Sequence, residues 1–421
     1  MELRIVTDIS PCESRSLRNS SALVKCRPTT SAETTHFAFE SKYDCIRPPV
    51  LRAKLPWVKV RDEYPDVRIA WPMNVLHQIM GENYLMIDGG KLCPHDPVSM
   101  DIEQQHFSVV SDSKRAQHMD GVGNCRATLS FSRKLPKKNL THTLGGVYNP
   151  DVPLYIFALD KGHAKTYAHV FTFERLIKKL LRMEIKRDGK WVPVTNDEEK
   201  LQYVKVENGV EMLSAPELFG RYVNYDEEEK DQILCHLVDL PNFNPLSPGK
   251  KGVSVHFRQY VKMNSIVQPS AGSVVTTTLT CPHPTVAIVS VSANQEAVES
   301  SCTSNYTTTP SNPANGEDPV DTVEIMANRA QIIPKTPSDY VCCDYETVHA
   351  PIHAGYRIYA FCKDLCVVHP DSSNVITDGI MTNVYKKNTG YSGTYTEHTY
   401  LVTIREYRYV NSDGAIVIKL I

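Results

Sequence analysis

The chain lacks any long apolar run. Nowhere in its 421 residues do roughly 18 apolar residues follow one another, so no membrane-spanning helix is expected. It also lacks an excess of charge of either sign. Lys and Arg number 46 against 48 Asp and Glu, for a net charge of −2. That balance argues against broad non-specific binding to nucleic acid, which needs a basic field. The opening stretch Met1 to Asp8 has no apolar signal core, so the chain is not expected to enter the secretory route. The Asn-x-Ser/Thr triplets at Asn19, Asn139 and Asn305 are then expected to stay unglycosylated. Twelve cysteines are scattered without a framework spacing. In a non-secreted chain they are expected to be reduced and often buried.

Catalytic signatures are missing as well. Gly121-Val-Gly123-Asn-Cys-Arg126 starts like a dinucleotide loop but has no third glycine. Pro248-Gly-Lys-Lys-Gly-Val-Ser is out of register for a phosphate-binding loop. No Gly-x-Ser-x-Gly elbow, no His-Glu-x-x-His pair and no His-x-His pair occurs, which removes the common hydrolase and metal-enzyme patterns. One cluster has the right atoms for zinc: Cys342, Cys343, His349, His353, Cys362, Cys366 and His369. Their spacing fits no compact finger, and the segment also reads as two strands. Buried thiols and ordinary polar histidines are the simpler expectation. No catalytic, cofactor-binding or metal-binding residue is therefore assigned, no cofactor is expected, and the chain is not expected to be an enzyme.

What the sequence does contain is strands and corners. Proline (27) and tyrosine (21) are frequent, pointing to strands with many turns. Thr35-His-Phe-Ala-Phe-Glu40 alternates polar and apolar residues, as a half-buried strand does. Val67–Trp71, Tyr84–Asp88, Val152–Leu159, His169–Phe173 and Arg221–Tyr225 read as further strands. Asp88-Gly89-Gly90 reads as a turn, and Met183–Val194 as a hairpin turning at Asp188-Gly189, a pair suited to a type I′ turn. Phe173, Leu176, Ile177, Leu180 and Leu181 fall at helical spacing, so a short amphipathic helix packed on a sandwich is expected over 174–183. The acidic run Asp226–Asp231 reads as a solvated face. Residues 227–254, rich in Pro, Asn and Gly, read as a linker. The polar stretch 300–320 reads as a long loop projecting from one end. His283-Pro284 should fix a strand start, and Asn411-Ser-Asp413-Gly414 should turn the last hairpin.

The order of these pieces carries a resemblance. Phe37-Ala-Phe39-Glu40-Ser, Trp71 with His77, Leu85–Gly90, Arg221–Glu228, Val255–Tyr260, Leu279 with His283-Pro284, Gly355-Tyr-Arg-Ile-Tyr359-Ala-Phe361 and His369-Pro370-Asp-Ser-Ser-Asn374 run collinearly. Together they resemble the major capsid protein of nucleocytoplasmic large DNA viruses, as a divergent member. The family's Pro-Leu-x-Ala-Leu pattern survives only as Pro153-Leu154-Tyr-Ile-Phe-Ala158-Leu159. The resemblance implies an all-β chain of two tandem eight-stranded jelly-roll sandwiches with short helices in loops. The expected division is an N-terminal arm over 1–30, a first jelly roll over 31–226, a linker over 227–254 and a second jelly roll over 255–421. It implies a homotrimeric, pseudo-hexagonal capsomer tiling an icosahedral shell in the virion, assembled in the host cytoplasm. The implied partners are neighbouring capsomers, minor capsid and penton proteins and an inner membrane, with no specific nucleic acid. Alternatives are a minor or scaffold protein of the same viruses, or a non-viral β-sandwich protein binding carbohydrate or a surface.

Overall fold

A computed structural model describes residues 22–31, 33–87, 89–106, 118–145, 154–159, 167–237, 254–268, 271–280, 283–310, 315–327, 330–338, 354–361, 378–385, 393–412 and 415–420. The Cys/His cluster of 342–369, the corner at 369–374 and the turn residues Asp88, Asp413 and Gly414 lie outside these residues.

Eight strands build the first half: β1 Ala22–Lys25, β2 Thr35–Ala38, β3 Cys45–Leu55, β4 Asn83–Ile87, β5 Gly90–His95, β6 Lys138–Thr143, β7 Ala168–Phe171 and β8 Glu217–Val223. They pair antiparallel in two sheets, β1-β8-β3-β6 and β2-β7-β4-β5. Eight more build the second half: β9 Ser254–Lys262, β10 Val274–Thr280, β11 Thr285–Asn294, β12 Val320–Ala327, β13 Ala330–Pro337, β14 Tyr356–Ala360, β15 Asp378–Tyr385 and β16 Tyr395–Ser412. Their sheets are β9-β16-β11-β14 and β10-β15-β12-β13. Adding eight to each label of the first half reproduces the second. Two jelly rolls of one topology therefore stand in tandem, although no repeat is visible in the sequence.

Local patterning explains the strands. In β10 the residues Val-Val-Thr-Thr-Thr-Leu-Thr alternate strictly between exposed and buried, giving one wet face and one core face. In β11 all ten residues are buried, because both faces of this strand are covered. Gly89 at φ +80° closes the β4–β5 hairpin, where Ile87 pairs with Gly90. Asp188 (φ +49°) and Gly189 (φ +78°) turn the hairpin between Arg182–Arg187 and Lys190–Pro193, the two positive angles that a type I′ turn requires.

Because successive strands reverse direction, the connections after β1, β3, β5 and β7 leave one end of the first jelly roll. The long ones carry two further three-stranded sheets: Val204–Val206, Val58–Val60 and Lys134–Leu135, and Lys190–Pro193, Arg182–Arg187 and Val67–Ala70. They also carry the helices α1 Val75–Met80, α2 Pro97–His106, α3 Ile177–Leu180 and α4 Asp197–Tyr203.

Four expectations need correction. The helix expected over 174–183 is the single turn α3, because the first strand of the expected hairpin starts early, at Arg182, where it pairs with Ala70. The linker expected over 227–254 opens with a helix, α5 Glu227–Leu237. Its acidic residues sit at the N-terminus, where the helix dipole favours them, and Asp226 and Glu229 cap each other's backbone N–H groups. The arm expected over 1–30 contributes β1 and the strand Pro28–Thr30; residues 1–21 are not described. The loop expected to project over 300–320 is buried from Ser300 to Thr307, apart from half-buried Thr303.

Candidate functional site at the seam between the jelly rolls

The sheet containing β11 has two covered faces. One lines the core of its own jelly roll, through Ile288 with Val275, Val323, Met381 and Leu401. The other packs Val289, Val291, Ile358, Tyr400 and Val402 against Ile102 of α2 and against Tyr306. Farther along, Val255, Phe257, Tyr407 and Tyr409 share a core with Tyr155 and Tyr225 of the first jelly roll. The Tyr409 hydroxyl accepts from the Tyr155 backbone N–H at 2.9 Å.

Two carboxylates of the first jelly roll organise this seam. Asp96 precedes α2 and exchanges capping hydrogen bonds with Ser99, at 2.8 and 2.9 Å. It also accepts from Lys262 Nζ at 2.8 Å and from the Tyr400 hydroxyl at 2.8 Å, both across the seam. Burial would raise its pKa; the Lys262 ammonium, the Ser99 N–H and the Tyr400 hydroxyl outweigh burial and hold it below the usual carboxylate range. Asp101, within α2, has no solvent exposure. Its Oδ1 accepts from Asn74 Nδ2 at 2.7 Å and from His77 Nδ1 at 2.6 Å, and its Oδ2 accepts from the Tyr306 hydroxyl at 2.8 Å. A buried carboxylate must be satisfied in this way or be neutralised.

Tyr306 belongs to the polar stretch that was expected to project. The stretch can be buried because it closes its own hydrogen bonds. Asn305 Nδ2 donates to the carbonyls of Thr309 and Pro310, and Asn305 Oδ1 accepts from the Thr307 N–H and hydroxyl. Lys200, fully buried, donates to Ser301 Oγ and Asp197 Oδ1, each at 2.8 Å. Gln78 Nε2 donates to Ser304 Oγ at 3.3 Å.

A second polar network lies inside the second jelly roll. Arg357 of β14 donates to Asp318 at 2.6 Å, to Ser290 and Ser292 at 3.1 and 2.9 Å, and to Glu397 at 3.0 Å. Glu397 accepts in addition from Asn383 and Tyr385, both at 2.7 Å. These groups hold β11, β14, β15 and β16 together and are spent on one another. Together they form a buried hydrogen-bonded frame inside the second jelly roll.

The resemblance motifs fall into structural places. Trp71 and His77 are buried. Pro284 immediately precedes β11, as a strand start requires, and its carbonyl accepts from the Ile404 N–H. Gly355 at φ +94° brings its Cα against the Tyr306 carbonyl; an added Cβ would lie 2.2 Å from that oxygen. Cys26, Cys45, Cys93 and Cys302 are buried and Cys125 is half-buried, and none of these five is in a disulfide. Among the described residues no three metal-type side chains converge. Asp96, Asp101 and Tyr306 were missed in the sequence; the Asp96-Pro-Val-Ser99 cap was the one local signal for α2.

No family model and no curated protein matches the chain. Solved structures do. A structure of the PBCV-1 virus capsid aligns over 96% of this chain and 97% of its own, with a TM-score of 0.67 at 12% identity. The Faustovirus major capsid protein aligns over 94% and 90%, with a TM-score of 0.68 at 8% identity. The structure of the Sputnik virophage aligns over 95% and 88%, with a TM-score of 0.56 at 8% identity. The chain has the double jelly-roll fold of viral capsid proteins. In a double jelly roll both sandwiches and the seam count together, and the alignment spans all three. The fold matches the expectation drawn from the ordered motifs.

Proposed function

We propose that this double jelly roll is a structural virion protein, a major capsid protein without catalytic activity. The observation that carries the reading is the duplicated strand order locked by a buried seam, aligned nearly end to end with capsid structures. Two like sandwiches fixed side by side give one chain two similar edges. Three such chains then give a closed ring of six sandwiches with a pseudo-hexagonal outline, which tiles without gaps. The partners are two further copies, neighbouring capsomers and the minor capsid and penton proteins that complete a shell. The chain assembles in the host cytoplasm, above an inner membrane. The near-neutral net charge of −2 suits dense lateral packing and no specific hold on nucleic acid.

The test is solution mass by light scattering with negative-stain imaging. The expected particle is a trimer of roughly 142 kDa, three times the 47.4 kDa chain, with a hexagonal outline. A monomer at micromolar concentration, with or without co-expressed viral proteins, would overturn the capsomer and favour a surface-binding sandwich pair.

A further inference from the structure

In the small sheet at the elaborated end of the first jelly roll, Lys59 stands directly opposite Lys205 on one side and Lys134 on the other. Their neighbours Val58, Val60, Val204 and Leu135 are buried, so the three lysines share the outer face of the sheet. Lys134 and Lys205 are exposed. Like charges directly across a sheet destabilise it, so folding alone gives no reason for this row. Among the described residues Lys59 has one carboxylate partner, Asp62 at 2.9 Å. Lys137, beside the row, pairs with Glu207. Among the described residues neither Lys134 nor Lys205 has a carboxylate within ion-pairing distance, and Asp62, which Lys205 also influences, is held by Lys59. Trp57, half-buried, lines a groove of about 410 Å³ together with Lys59, Lys134, Pro136 and Lys137. A second groove of about 430 Å³ shares Lys137 and continues past Lys54 to the exposed side chains of Val210 and Met212.

We infer that this lysine row and its Trp57 groove form a binding site for an extended sulfated or carboxylated glycan. Ammonium groups in line meet regularly spaced anionic groups, the indole offers a flat apolar face to a sugar ring, and the paired grooves fit several units rather than one ion. A single-stranded nucleic acid uses similar chemistry. Position favours the glycan, and this step rests on the capsid reading. Through the pairs Ala22–Tyr222 and Tyr222–Ile46, the start of β1 is level with the start of β3. The lysine row lies past the other end of β3, roughly 30 Å away at about 3.3 Å per residue. In a capsomer whose N-terminal segment faces inward, the row faces out, toward host surfaces and away from the genome.

The test is surface plasmon resonance of the full-length protein over immobilised heparin, with desulfated heparin and a single-stranded oligonucleotide as comparisons. Binding to heparin alone is expected, weakening as salt is raised. K134Q/K205Q should bind roughly five- to tenfold more weakly, with a thermal midpoint equal to or above that of the parent. No heparin binding by the parent, equal binding by the double variant, or equal or tighter binding to the oligonucleotide would overturn the site. A fall in thermal midpoint would show the lysines to be structural. The capsid reading fails separately: a monomer that binds heparin leaves the site standing, and a trimer that ignores heparin leaves the capsomer standing.

Discussion

The carboxylate of Asp101, in the first jelly roll, accepts a hydrogen bond from the hydroxyl of Tyr306, in the second, at 2.8 Å, and neither residue is more than 1% exposed. Their positions differ by 205 residues. This contact draws the polar stretch 300–307 into the seam, where Asp101 of α2 also holds Asn74 and His77 at α1.

Removing the Tyr306 hydroxyl tests that relationship. Tyr306→Phe should cost about 1–3 kcal/mol, since Asp101 Oδ2 loses its donor while buried. Asp101→Ala should cost about 3–5 kcal/mol, because Asn74, His77 and Tyr306 all lose their acceptor. Urea denaturation midpoints check both; equal and negligible effects would show that the seam does not depend on this carboxylate.

Burial also sets a pH dependence. Burial holds His118 down to about 4 and His169 down to about 3, helped by repulsion from His77 and His95 respectively. His95 and His142 are lowered for the same primary reason. A histidine whose folded pKa lies below its unfolded value of about 6.5 binds more protons unfolded. Its contribution is complete above about pH 6.5 and is lost as pH falls toward the folded value, by up to about 1.4 kcal/mol per pH unit for each group. The lowered carboxylates Asp96 and Asp120 lose their contribution only as pH falls below about 4. Melting temperatures should therefore drop between about pH 6.5 and 4.5, and His169→Gln should flatten that slope. A flat profile across this window would refute the assignment.

The Arg357 network predicts an order of effects. Arg357→Ala leaves Glu397 and Asp318 buried without their cation and should cost about 3–5 kcal/mol. Glu397→Gln keeps an acceptor for Asn383 and Tyr385 and leaves Arg357 on Asp318, so it should cost less, about 1–3 kcal/mol. Chemical denaturation of the two variants checks the order, and a reversal would place the essential charge on Glu397.

Gly355→Ala should be among the costliest small substitutions in the chain. It combines a positive φ with a Cβ 2.2 Å from the Tyr306 carbonyl, for about 2–5 kcal/mol in strain and displacement. Gly189→Ala, also at positive φ but with open space around it, should cost only about 1–2 kcal/mol. Similar thermal shifts for both would show that the Tyr306 backbone yields freely.

Local patterning was legible in the amino-acid sequence. Period-two alternation wrote β2, β4 and the end of β8 into the text, because a strand half covered by a core needs that pattern. Asp188-Gly189 specified its turn because only such residues accept two positive φ angles cheaply. The ordered motifs gave the double jelly roll. The tertiary structure decided the rest. Whether Ser301, Ser304 and Tyr306 face water or a seam depends on partners about 100 to 230 positions away, and no local pattern distinguishes a polar loop that closes its own hydrogen bonds from one that projects. Helical spacing over 176–181 yields only one turn, because the strand pairing of Arg182 with Ala70 ends the helix. The lysine row exists only through register: Lys59, Lys134 and Lys205 are unremarkable apart in the sequence, and sheet pairing alone makes them neighbours.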